Sequence, residues 1–154
     1  MKSLLSLCCL LAVCVGCTMS VAPAQPQTQA QSPQMSSHEK VYPSGTVFYQ
    51  DDDGKDVPIA AGSTVVIKLH EDPHGKFVWG ILENNKSIFE VLTNESKLVN
   101  EPGKEAYQLR TFTMKGTKPG KSNLKIVYFP AGQQDHAGDT ATKSYRLFVE
   151  IIKQ

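Results

Sequence analysis

The sequence predicts an all-β fold, a sandwich of about seven antiparallel strands without a disulfide, over residues 41–154. Three observations carry this. After His38 the chain runs in short stretches rich in β-branched and aromatic residues, broken by Gly, Pro, Asp and Asn about every 8 to 15 residues. No segment beyond the first seventeen residues has the 3.6-residue period of an amphipathic helix. All four cysteines, Cys8, Cys9, Cys14 and Cys17, fall in that opening segment, so the rest has no disulfide, thiol nucleophile or thiolate ligand.

The amino terminus reads as an address. Lys2 precedes an apolar run from Leu4 to Val15, the length of a signal-peptide core and too short to span a bilayer. The run ends in Val13-Cys14-Val15-Gly16-Cys17, which resembles a bacterial lipobox and makes Cys17 the expected lipid anchor at the end of a 1–17 signal. Cleavage after Ala22-Pro23-Ala24, an A-x-A-like site, is the alternative. The expectation is an exported protein: an outer-membrane lipoprotein facing the periplasm or cell surface, touching the membrane only through that lipid, or else a soluble periplasmic or secreted one. Residues 18–40 are dominated by Gln, Pro, Ser, Ala and Thr, with no charge before His38. No apolar face offsets the entropy of ordering them, so they read as a disordered tether.

The strands follow in order. Thr46 to Gln50 and Asp56 to Ala60 flank Asp51-Asp52-Asp53-Gly54-Lys55, whose Asp-Gly pair predicts a tight hairpin. Ser63 to His70 alternates, with Val65, Ile67 and Leu69 on one face. Phe77 to Glu83 sets Phe77, Trp79 and Ile81 together and predicts a core position for the single tryptophan. Ser87 to Thr93 and Tyr107 to Lys115 come next, then a Lys118-Pro119-Gly120-Lys121 turn. Asn123 to Phe129 directs Leu124, Ile126 and Tyr128 inward, and Thr142 to Ile152 does the same with Tyr145, Leu147, Val149 and Ile151. This series reads as an immunoglobulin-like β-sandwich.

Charge and motifs exclude several functions. The 16 basic and 15 acidic residues give a formal charge of +1, and losing Lys2 with the signal brings the two signs into balance. No basic surface is left to neutralise a nucleic-acid backbone. His70-Glu71-Asp72-Pro73-His74 satisfies the zinc-protease pattern in letters. However, Pro73 and the preceding strand deny it the helix that would set both imidazoles on one face, and His136 lies far along the chain. Asp51-Asp52-Asp53-Gly54 lacks the acidic residues that a calcium loop needs at Tyr49 and Ala60. Asn85-Lys86-Ser87 and Asn94-Glu95-Ser96 read as polar turns. There is no G-x-S-x-G elbow, so no enzymatic constellation, cofactor or metal is expected. Loops at the strand ends remain as binding equipment.

Three of those loops, with the strand order, resemble the chagasin-like family of cysteine-peptidase inhibitors over Gly62 to Ile152. The family's first loop reads approximately Asn-Pro-Thr-Thr-Gly-aromatic followed by Trp. Here Asp72-Pro73-His74-Gly75-Lys76-Phe77-Val78-Trp79 keeps the Pro, the aromatic and the Trp. The second is a G-x-G-G turn, matched by Gly103 of Glu101-Pro102-Gly103-Lys104-Glu105. The third is Arg-Pro-Trp at a strand end, where Tyr128-Phe129-Pro130-Ala131 keeps the Pro. In the family these loops enter the cleft of a papain-like peptidase as a wedge and are not cleaved. The resemblance therefore implies a monomeric, reversible inhibitor of such a peptidase. Asp72, Pro73, His74, Gly75, Lys76 and Phe77 would block the catalytic centre. Gly103, Lys104 and Glu105 would touch one wall, and Phe129 with Pro130 the other. The alternative is a non-inhibitory cell-envelope module that holds a partner protein by strand addition or a surface patch.

Overall fold

A computed structural model describes residues 40–153. The signal, Cys17 and residues 18–39 of the tether lie outside the described residues. Eight strands form two four-stranded sheets. They are β1 (Thr46–Phe48), β2 (Lys55–Ala60), β3 (Thr64–Glu71), β4 (Phe77–Glu83), β5 (Phe89–Val99), β6 (Tyr107–Gly116), β7 (Gly120–Pro130) and β8 (Lys143–Ile152). One short helix, α1 (Ala137–Thr140), precedes β8. The first sheet runs β1-β3-β6-β5 and the second β2-β8-β7-β4. All pairings are antiparallel except β1 with β3 and β2 with β8.

Alternation sets the core as the sequence predicts. Val65, Ile67 and Leu69 of β3, Phe112 and Met114 of β6, Leu124 and Ile126 of β7, and Tyr145, Leu147, Val149 and Ile151 of β8 are all buried. Trp79 lies among them at 3% exposure. Each inner face thus meets the other across one apolar layer. Among the described residues, all core residues and strand partners fall within residues 42–152, which gives this segment a core of its own.

Two expectations are corrected. Thr46–Gln50 and Asp56–Ala60 are not arms of a hairpin, because β1 pairs with β3 and β2 pairs with β8 in the opposite sheet. Phe48 and Val57 both point into the core, but from opposite sides of it. The acidic cluster supports this crossing from sheet to sheet. The Tyr49 amide donates to Asp52 Oδ2, Lys55 pairs with Asp52, and the Arg146 amide donates to Asp53 Oδ1. Asn94-Glu95-Ser96 is not a turn but the middle of β5, which pairs with β6 along its whole length. This strand lies at the sheet edge, and residues 90–98 are exposed, so burial exerts no pressure for apolar alternation.

Candidate functional site

The β3–β4, β5–β6 and β7–β8 connections emerge at one end of the sandwich. The ladders place them there: Glu71 pairs with Gln108, Val99 with Tyr107, and Phe77 with Pro130. The topology therefore brings all three candidate loops together.

Beneath them lies a buried polar network. Glu71, 4% exposed, accepts hydrogen bonds from the Trp79 amide at 2.7 Å and from Ser96 Oγ at 2.7 Å. It also forms an ion pair with Arg110 Nε at 2.9 Å. One carboxylate thus ties β3, β4, β5 and β6 together at the root of the first loop. Trp79 Nε1 donates to the His70 carbonyl at 2.8 Å, which adds a second link between the sheets. Sequence reading passed over this network, yet a signal exists. Glu71 continues the inward positions of Val65, Ile67 and Leu69, and Arg110 those of Phe112 and Met114. An acid and a base at inward positions on two strands are candidates for each other.

The first loop, residues 72–76, is fixed by Asp72. Its carboxylate accepts from the His74 amide at 3.1 Å and the Lys76 amide at 2.9 Å, while its own amide donates to Tyr128 Oη at 2.9 Å. The His74 amide, and to a lesser degree that of Lys76, holds the Asp72 carboxyl below the ordinary value of 3.8, against a smaller opposing effect of desolvation. Gly75 adopts φ 66°, a conformation that a side chain would strain. Pro73, His74 and Lys76 are left exposed at the tip. Phe77 is half-buried and stacks on Tyr128, with ring centroids 5.5 Å apart, so it is a buttress as much as a contact. Burial pushes the Tyr128 hydroxyl above its ordinary value.

His70 and Glu71, the first letters of the zinc-like pattern, have other roles. The His70 ring stacks on Tyr107 at 4.4 Å and 6°, and the Glu71 carboxylate is held by three donors. The second connection presents Gly103, Lys104 and Glu105 to solvent. Glu101 anchors it, accepting from Lys104 and from Tyr107 Oη.

The third connection differs most from expectation. Phe129, expected to pack on a peptidase, is 3% exposed and unavailable for such a contact. It lies on the outer face of the second sheet with Val127, and the returning chain covers both through Ala137 and Ala141. The long β7–β8 connection folds back over this outward-facing aromatic, and taking its apolar area out of water stabilises that return. Gly80 makes room: a Cβ there would lie 2.8 Å from Phe129 Cε1. Pro130 is half-buried. The stretch of this connection next to the first loop, residues 131–136, is exposed and is tied to that loop where the Ala131 amide donates to the Lys76 carbonyl at 2.9 Å.

No protein-family model matches the chain. No curated protein matches it either. Solved structures do. The cysteine protease inhibitor EhICP2 from Entamoeba histolytica superposes with a TM-score of 0.63 at 18% sequence identity, over 73% of this chain and 100% of that one. Amebosin superposes with a TM-score of 0.51 at 17% identity, over 70% and 98%. The fold is therefore an immunoglobulin-like β-sandwich. More narrowly, it is the sandwich that the cysteine protease inhibitor EhICP2 also adopts.

Proposed function

We propose that this protein inhibits papain-like cysteine peptidases reversibly, with residues 72–77 as the wedge and residues 100–106 and 131–136 at its flanks. The observation that carries this reading is the fixed first loop: Asp72 holds its backbone from both sides while Pro73, His74 and Lys76 stand free at the tip. A loop ordered before binding loses little entropy on entering a cleft, and a Pro-containing tip resists the extended path that a substrate takes. The likeness to the cysteine protease inhibitor EhICP2 supports the same class of partner. Export rests on the Leu4 to Val15 run, and anchoring on a lipid at Cys17.

The test is titration of active papain with residues 36–154, reading residual peptidase activity. Tight inhibition is expected. Exchanging His74 and Lys76 for Asp should weaken it by about 30-fold, the effect of a small hot spot, with an unchanged melting temperature. No inhibition by a folded sample at about 10 μM, some thousandfold above the range of a tight complex, would overturn the reading.

A further inference from the structure

We propose that two copies of this chain pair through β5, edge to edge and antiparallel, about a twofold axis at Ser96. The strand is long, Phe89–Val99, and its edge beyond β6 has no partner strand among the described residues. The strand at the opposite edge of the same sheet, β1, is only Thr46–Phe48. A long open edge presents a row of backbone donors and acceptors suited to another strand.

The side chains select the partner and the register. Cross-strand pairing with Phe112, Arg110 and Gln108 puts Asn94, Ser96 and Leu98 on the inward face, and Glu95 and Lys97 on the outward face. The irregularity in β5 lies between Val91 and Thr93, so residues 93–99 run without interruption. In a symmetric antiparallel pair, residues facing one another must share a face, so the axis passes through a residue and not between two. An axis at Glu95 or at Lys97 sets like charges opposite each other. An axis at Ser96 sets Glu95 of each copy against Lys97 of the other, twice, with Asn94 opposite Leu98 and Thr93 opposite Val99. Neither Glu95 nor Lys97 makes an ion pair among the described residues. Leu98, 50% exposed on the inward face, gains cover in this arrangement.

Charges on edge strands commonly block association. Here the two signs at Glu95 and Lys97 form a pattern complementary to itself. The product is a continuous eight-stranded sheet whose two loop ends point in opposite directions, so a pair would present two independent binding ends. The monomer expected from the sequence is then the low-concentration form. The pairing stands whether or not the loops inhibit a peptidase.

Sedimentation equilibrium of residues 36–154 tests this. From about 1 μM to about 1 mM the mass should rise from one copy to two. Glu95→Lys and Lys97→Glu, each alone, set like charges opposite each other and should weaken the dimer by about tenfold or more. The double variant Glu95→Lys/Lys97→Glu restores opposite charges in the same register and should return to within about threefold of the original. Recovery in the double variant also shows that β5 tolerates both substitutions. A single-copy mass throughout overturns the proposal. A dimer indifferent to the charge exchange overturns it too, because the contact then lies elsewhere.

Discussion

Glu71→Ala offers the sharpest test of how the loop end is held. The substitution removes an acceptor that serves the Trp79 amide, Ser96 Oγ and Arg110 Nε. Ser96 retains Gln108 as a partner, and Arg110 retains Asn94, so the loss falls on the amide and on the guanidinium charge. Removing one partner of a buried ion pair costs about 3–5 kcal/mol. Because the Arg110 side chain keeps 17% exposure, the lower end applies to the charge, and the orphaned Trp79 amide brings the total to about 3–4 kcal/mol. For a domain of this size that is a fall in melting temperature of about 12–16 °C. Urea and thermal unfolding followed through the fluorescence of Trp79, the only tryptophan, would measure it at the network itself. The companion variant Glu71→Leu/Arg110→Met removes the charge pair together and should recover most of the loss, because two apolar side chains leave only the amide unpaired. A single variant within about 1 kcal/mol of the parent would refute the reasoning, as would a double variant no better than the single.

Phe129→Ala should cost about 3 kcal/mol and make residues 131–141 more susceptible to proteolysis, because the ring is buried under that segment. A stable variant that loses only peptidase binding would restore Phe129 as a contact. Tyr145 is 1% exposed, its hydroxyl has no hydrogen-bond partner among the described residues, and burial raises its pKa strongly. Tyr145→Phe should therefore stabilise the domain by about 1 kcal/mol in urea unfolding, and destabilisation by as much would show that the hydroxyl is satisfied. Asp72 supplies the pH dependence. Its folded pKa lies below the ordinary 3.8, so loop stabilisation is complete above that value and is lost as pH falls through the depressed folded one. The side-chain carboxyl carbon resonance of Asp72 should titrate with a midpoint below the ordinary carboxylate range, whereas a midpoint above that range would refute the assignment.

Sequence alone determined most of the strands and the core they bury. Period-two alternation specifies which side chains lie inside a half-buried strand whatever its neighbours, and Val65-Ile67-Leu69 and Tyr145-Leu147-Val149-Ile151 are inward in the structure as in the pattern. It also marked the Pro-containing and Gly-containing loops, because these residues restrict the backbone locally. Only the tertiary structure decided what depends on partners distant in the chain. The Asp-rich segment between β1 and β2 looked like a hairpin because a turn motif is local, while the choice of sheet depends on pairing with β3 and β8. Asn94-Glu95-Ser96 looked like a turn because an edge strand outside the core need not alternate in polarity. Phe129 looked free because its strand position faces away from the main core, and only the returning β7–β8 chain buries it. Glu71 and Arg110 sit 39 residues apart, and only the β3–β6 pairing turns two inward charges into one buried network.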